Sequence, residues 1–208
     1  MMRRIFAAFR RRFRRRRYLR IRDLMEIESR TGSILDLGGG PASFFTTMFP
    51  RQEQIILLDI DYDQVHRAKR KYPALRVVVA DGERLPLSDC SIDVIVCNSV
   101  IEHVDDPKAL AREICRVGWG YFLQTPNGNF PLETHSFIAI PFYNSIHWVW
   151  LQRFMCRVFG SDFEYVRNVR YLPGQRLRAF FPEAMVAYEK VLGLNKSFYV
   201  YYLNERTR

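Results

Sequence analysis

The chain has 208 residues, 48% of them hydrophobic, and a formal net charge of +10. That length accommodates one domain with a sizeable core. It contains no run of about 18 uninterrupted apolar residues, as a membrane-spanning helix would need, and its N-terminus lacks the apolar centre of a secretory signal.

The charge is unevenly placed. Residues 1–22 hold eleven arginines, no lysine and no acid, so the remaining 186 residues carry about −1. Within residues 1–17, Ile5, Phe6, Phe9 and Phe13 recur at three- to four-residue spacing. As a helix this arm carries an aromatic stripe amid arginine, the pattern of a basic interfacial helix. Residues 18–30 read as a second helix, with Leu19, Leu24 and Ile27 inward and Thr31-Gly32 at its end.

Alternating units follow. A first strand covers 33–37 and runs into Gly38-Gly39-Gly40-Pro41; a short helix at about 42–48 is closed by Pro50. A second strand at 54–58 ends on Asp59. The next helix starts near Asp61 or Asp63, turns Val65 and Ala68 inward and stops before Pro73. A third strand covers 76–80 and ends at Asp81, and a fourth covers 92–97 and ends at Asn98. Asp106-Pro107 caps a helix with Leu110, Ile114 and Val117 on one face, and a fifth strand at 121–124 ends at Thr125-Pro126-Asn127. Strands alternating with helices predict a parallel sheet with right-handed crossovers. Residues 128–180 form an aromatic-rich insertion on the substrate side, and 184–191 and 197–203 form an antiparallel strand pair joined across Gly193. The domain division is an arm and helix at 1–30 and a globular unit at 31–208. Cys90, Cys97, Cys115 and Cys156 show no CxxC pair and no metal spacing, so reduced, buried cysteines in a cytoplasmic protein are expected.

In an open parallel sheet, ligands lie beyond the carboxyl ends of the strands. Here those ends carry Asp36 and Gly38, Asp59, Asp81, Asn98 and Asn127, each following an apolar run. A dinucleotide fingerprint wants a third glycine where this chain has Ser43, and Asp36 in front of the turn would repel a pyrophosphate. A carboxylate there suits a nucleoside ligand with a positive centre and no phosphate, such as S-adenosylmethionine.

These residues resemble the class I S-adenosylmethionine-dependent methyltransferases, and within them the methyltransferase type 11 group. The resemblance rests on Ile34-Leu35-Asp36-Leu37-Gly38-Gly39-Gly40-Pro41-Ala42, on Leu57-Leu58-Asp59-Ile60-Asp61, on residues 81–93, on Asn98-Ser99-Val100-Ile101-Glu102-His103-Val104 and on Glu113-Ile114-Cys115-Arg116-Val117. It implies a Rossmann-like α/β fold with a mostly parallel seven-stranded sheet and an antiparallel C-terminal strand. It also implies cofactor roles. Gly38, Gly39 and Gly40 would pass the methionine part and Asp36 would steer its amino group. Asp59, with Ile60 beside it, would take both ribose hydroxyls. Asp81, Gly82 and Glu83 would hold the adenine, and the carbonyl near Asn98 the ammonium. One departure is Gly118-Trp119-Gly120, where the family usually has a longer turn before the fifth strand.

If the acceptor is a hydroxyl, a base near the methyl group helps. The candidates are Glu102, His103, Glu133 and His135, of which Glu133 and His135 follow the fifth strand. The stretch 125–135, with 180–184 and 193–197, is similar to a bacterial subgroup inferred to act on glycans or lipids. The leading expectation is a methyltransferase for a small molecule or lipid-linked glycan, cytoplasmic and peripheral on the inner face of the membrane. For the arm the readings rank as an anionic membrane surface first, then a disordered basic tail, then RNA phosphates, then a targeting peptide. An RNA methyltransferase is the alternative, although the fourth strand ends Cys97-Asn98-Ser99-Val100, without the proline-rich tetrapeptide of base-methylating enzymes. A non-catalytic binding module is the third reading.

Overall fold

Side-chain alternation along the strands decides which helix covers which face of the sheet. The computed structural model of the chain describes residues 2–130, 149–159 and 168–204. Its strands are β1 (Ile34–Leu37), β2 (Ile55–Asp59), β3 (Arg76–Val79), β4 (Ile92–Asn98), β5 (Gly118–Pro126), β6 (Met185–Val191) and β7 (Leu194–Leu203). They form one seven-stranded sheet in the order β3-β2-β1-β4-β5-β7-β6, with β7 antiparallel to both neighbours. The other pairings are parallel, and Leu37 lies beside Leu58 on one side and Cys97 on the other.

Ile34, Val94, Val96, Phe122 and Tyr199 point to one face and pack with Tyr18, Ile21, Met25, Phe45 and Val65. Those partners come from α1 (Met2–Met25), α2 (Phe44–Met48) and α3 (Tyr62–Lys71). Leu35, Leu37, Ile95, Cys97 and Val200 point the other way, onto Leu110, Ile114 and Leu177 of α4 (Pro107–Val117) and α6 (Gly174–Phe180). A further helix, α5, spans Val149–Phe159. The expected caps form: Asp61 accepts from the amides of Asp63 and Gln64, and Asp106 from those of Lys108 and Ala109.

Four features depart from expectation. The two helices expected at 1–17 and 18–30 are one helix without a break, because arginine is a good helix former and nothing between Met2 and Met25 interrupts it. The glycines of Gly118-Trp119-Gly120 belong to a strand, not a turn; a Cβ on Gly118 would lie 2.9 Å from Ile95 Cδ1, so close strand packing needs its absence. β7 begins at Leu194, directly after a two-residue turn in which Leu192 (φ 49°) and Gly193 (φ 80°) both adopt left-handed conformations. Cys97 and Cys156 are buried, but Cys90 and Cys115 are exposed, and all four are free.

Candidate active site

The glycine turn works through backbone shape. Gly38 (φ 69°) and Gly40 (φ 54°) are left-handed, and the Gly38 amide donates to the Leu58 carbonyl at 2.7 Å. A Cβ on Gly38 would meet Val100 Cγ2 at 2.5 Å, and one on Gly39 would meet the Asp36 carboxyl at 2.7 Å. A turn with no side chains leaves backbone exposed to a ligand.

Asp36 is 2% exposed and points, like Ile34, toward α2. Its Oδ2 accepts from the Ser43 hydroxyl at 2.5 Å and the Thr46 hydroxyl at 2.6 Å, and burial pushes its carboxyl above the usual range against these hydrogen bonds. Ser43 also caps α2 by accepting from the Thr46 amide. Asp36 thus ties the glycine turn to the start of α2, a use of its charge that the sequence reading did not anticipate. The carboxylate expected to steer an ammonium is already engaged by two hydroxyls.

Two cavities meet at Gly38. One, of about 230 Å³, is lined by Asp59, Ile60, Asp81, Gly82, Glu83 and His103. Asp59 Oδ1 accepts from the Asp61 amide at 3.0 Å, and burial raises the Asp59 carboxyl. Asp61 takes the cap of α3, which leaves Asp59 directed at the cavity mouth, where its Oδ2 would lie 3.9 Å from a Cβ on Gly40. Ile60 is 69% exposed beside it. Asp81 accepts from the Glu83 amide, and Glu83 Oε1 accepts from the amides of Asp105 and Asp106 at 2.7 and 3.0 Å, fixing the turn ahead of α4. Gly82 sits against Leu110 and Leu37, where a Cβ would be tight.

The other cavity, of about 370 Å³, has Asp36, Gly38, Gly39, Asn98, Ser99 and Gln124 on its floor. Ser99 is left-handed (φ 55°) although it is not glycine, a strained backbone position held by its amide bonding to the Gln124 carbonyl and its hydroxyl to Gln124 Oε1. The opposite wall comes from Phe13, Arg14 and Arg17 of α1 and from Lys196 of β7.

Arg17 is 8% exposed and donates to Asn98 Oδ1 at 2.7 Å and to Glu189 Oε2 at 2.9 Å. Lys196 donates to the same Oε2 at 2.9 Å and lies 4.5 Å from the centre of the Phe13 ring. Burial pushes the Glu189 carboxyl up, but Arg17 and Lys196 outweigh it and bring it down to about 2. Burial lowers the Lys196 ammonium, and Glu189 offsets that only in part because Arg17 opposes it. The sequence reading missed this trio. Arg14, Arg17, Tyr18, Ile21 and Met25 follow helical spacing on one face of α1, a signal that Arg17 continues the buried stripe.

The four base candidates part company. His103 lines the cavity of Asp59 and Asp81. Glu102 is fully buried, accepts from the Thr125 hydroxyl at 2.9 Å and is not among the described residues lining these two cavities. Glu133 and His135 lie outside the described residues.

A family model described as a methyltransferase domain matches residues 35–118. A protein named "Uncharacterized methyltransferase" from Mycobacterium sp. (strain JLS) is 35% identical over 85 residues, 41% of this chain and 34% of that protein. "Probable S-adenosylmethionine-dependent methyltransferase Rv3030" of Mycobacterium tuberculosis (strain H37Rv) is 40% identical over 77 residues, 36% and 28% of the two chains. The chain thus spans about a third of the length of the curated relatives it matches. Among solved structures, the PH0226 protein of Pyrococcus horikoshii aligns with a TM-score of 0.59 at 15% identity over 92% of this chain and 91% of that one. The N-terminal domain of EvdMO1, solved in the presence of S-adenosylhomocysteine and D-fucose, aligns with a TM-score of 0.58 at 20% identity over 90% and 82%. These two show a shared fold. With the glycine turn, the strand-end carboxylates and the strand order all in place, residues 35–118 are similar to a methyltransferase domain, set in a fold shared with solved methyltransferase-like structures.

Proposed function

We propose that the protein transfers a methyl group from S-adenosylmethionine to a small molecule or a lipid-linked glycan at an anionic membrane surface. The observation that carries the cofactor half is the pair of cavities that share Gly38 in their linings. Residues suited to a nucleoside line one, and the glycine turn floors the other. The residues fit the cofactor: side-chain-free backbone at Gly38 and Gly39 admits close approach, and Asp59 offers a half-buried carboxylate of the kind that holds paired hydroxyls.

When bound, the cofactor supplies an electrophilic methyl group on a sulfonium. The chain's part is positioning, which is worth several kcal/mol in displacements of this kind. Asp59 and Asp81 fix the nucleoside end, and Gly38, Gly39 and Ser99 shape the floor beneath the reacting centre. Phe13, Arg17 and Lys196 exclude water from the far side. Glu133 and His135, a few residues beyond the end of β5, are our candidate groups for orienting or deprotonating the acceptor.

The membrane half rests on charge. Arg3, Arg4, Arg10, Arg11 and Arg12 lie on the part of α1 that precedes the cavity wall, and each arginine near an anionic surface contributes about 1 kcal/mol. No helix among the described residues is long and apolar enough to cross a membrane. RNA phosphates present the same charge, and competition distinguishes them.

Two measurements test the reading. S-adenosylhomocysteine should raise the melting temperature of the full chain, and Asp59→Ala should abolish the rise; an unshifted wild-type melt would leave the binding-competent reading without support. The full chain should co-sediment with anionic vesicles and lose this on replacing those five arginines by glutamine. Equal pelleting of both proteins, or loss of pelleting to a small excess of RNA, would rule out a membrane tether.

A further inference from the structure

Among the described residues, Arg17 and Lys196 in the wall of the larger cavity share a single carboxylate. Arg17 and Lys196 are both largely buried and share one oxygen of Glu189, to which the Ser197 hydroxyl also donates at 3.2 Å. Two cations on one carboxylate leave one positive charge in a region of low dielectric, where an uncompensated charge is costly. Asp36, the carboxylate on the cavity floor, is engaged by the hydroxyls of Ser43 and Thr46 on the α2 side and makes no ion pair among the described residues. The Nε of Arg17 is buried without a hydrogen-bond partner among the described residues. Moreover, Phe13 lies against the Lys196 ammonium and limits its escape to water.

We infer that Arg17 and Lys196 form an oxyanion site in the cavity, one that takes a carboxylate or phosphate group at the methyl-transfer end. The inference rests on the proposed cofactor site, because that reading makes this cavity the place where donor and acceptor meet. It goes further by giving the ligand a charge. An anion placed here balances the shared pair and stands between the two cations and a sulfonium, which they would otherwise repel. Two molecules could bring it: the cofactor, through its amino-acid carboxylate, or the methyl acceptor, through a carboxylate or phosphate of its own.

The test uses the full chain and two opposed variants. Lys196→Met keeps the aliphatic stem, and Glu189 retains Arg17 as its partner. Glu189→Gln keeps the shape and removes the competing carboxylate. Binding of S-adenosylhomocysteine and of methylthioadenosine, which lacks the amino-acid carboxylate, is measured by calorimetry. Inorganic phosphate is then titrated into the protein saturated with S-adenosylhomocysteine. If the cofactor brings the anion, Lys196→Met weakens S-adenosylhomocysteine about tenfold, leaves methylthioadenosine unchanged, and Glu189→Gln strengthens the former. If the acceptor brings it, the same opposed changes appear in phosphate binding to the saturated protein. A merely structural role would move both variants in the same direction. Both ligand preferences unchanged in both variants would overturn the inference. Failure of methylthioadenosine to bind the wild type would instead strike the nucleoside reading and leave the phosphate titration as the independent measure. Lys196→Arg should restore binding where Lys196→Met has lost it.

Discussion

Replacing Arg17 by methionine tests whether the arginine-rich helix is built into the domain. The substitution keeps most of the aliphatic stem and deletes the guanidinium. Breaking a lone buried ion pair costs about 3–5 kcal/mol, because one charge is left stranded. Here Glu189 keeps Lys196 at 2.9 Å, so that penalty is reduced, while Asn98 Oδ1 loses a charged donor at 2.7 Å, which adds about 1–3 kcal/mol. Together these give a loss of about 3 kcal/mol, a fall in melting temperature of about 6–12 °C for a chain of this size. Lys196→Met should behave differently. It removes the surplus cation and leaves the Arg17–Glu189 pair whole, so stability should stay within about 1 kcal/mol of wild type. Urea denaturation of both variants measures the contrast, and a double-mutant cycle of Arg17→Met with Glu189→Gln should return a coupling of about 2 kcal/mol or more. A loss below about 1 kcal/mol for Arg17→Met, or equal losses for the two variants, would refute the idea that this arginine anchors α1 to the sheet.

The other predictions concern pH and the glycine turn. Glu189 titrates near 2 in the fold against an ordinary 4.5, so its contribution is present above pH 4.5 and is lost as the pH falls toward 2. That difference corresponds to about 3 kcal/mol, and Glu189→Gln should flatten this part of the acid limb in urea melts at pH 5 and pH 2.5. Gly38→Ala combines a left-handed backbone with a 2.5 Å approach to Val100 and should cost about 2–3 kcal/mol, with loss of the melting shift on adding S-adenosylhomocysteine. Gly40→Ala has the same backbone problem but its nearest neighbour is Gln64 at 3.6 Å, so about 1–2 kcal/mol is expected, and equal losses at both positions would contradict the packing argument.

Several motifs that resemble the family also hold loops in place. Glu113 Oε2 accepts from the Leu85 amide, and Arg116 donates to the carbonyls of Leu85 and Leu87 and to Asp89. That network clamps the stretch 81–91 onto α4, which places Asp81 at the cavity. The sequence spacing marked both segments, but their contact is long-range and appears only when β4 and α4 are packed together. Asp36 is the sharper case. Its position before the glycines was legible, yet the direction of its carboxylate depends on the strand pleat and on the hydroxyls of Ser43 and Thr46 across the turn.

By itself the sequence determined the alternation of strands and helices, the glycine turn and the polar residues at the strand ends. Each of these follows from local rules: hydrophobic period, capping residues, and the backbone freedom of glycine. The antiparallel hairpin at Gly193 was equally local. Only the tertiary structure decided what the arginines do. Eleven of them in 22 residues look alike by composition, and nothing local separates Arg17 from its neighbours in charge. Burial separates it, because the face of α1 that carries Tyr18, Ile21 and Met25 onto the sheet also brings Arg17 to Asn98 at the end of β4 and to Glu189 of β6. A charge in a low-dielectric site must find a partner, and Glu189, 172 residues away, is that partner. The arm therefore carries exposed charge at Arg11, Arg12, Arg15 and Arg16 and forms the wall of the cavity at Phe13, Arg14 and Arg17.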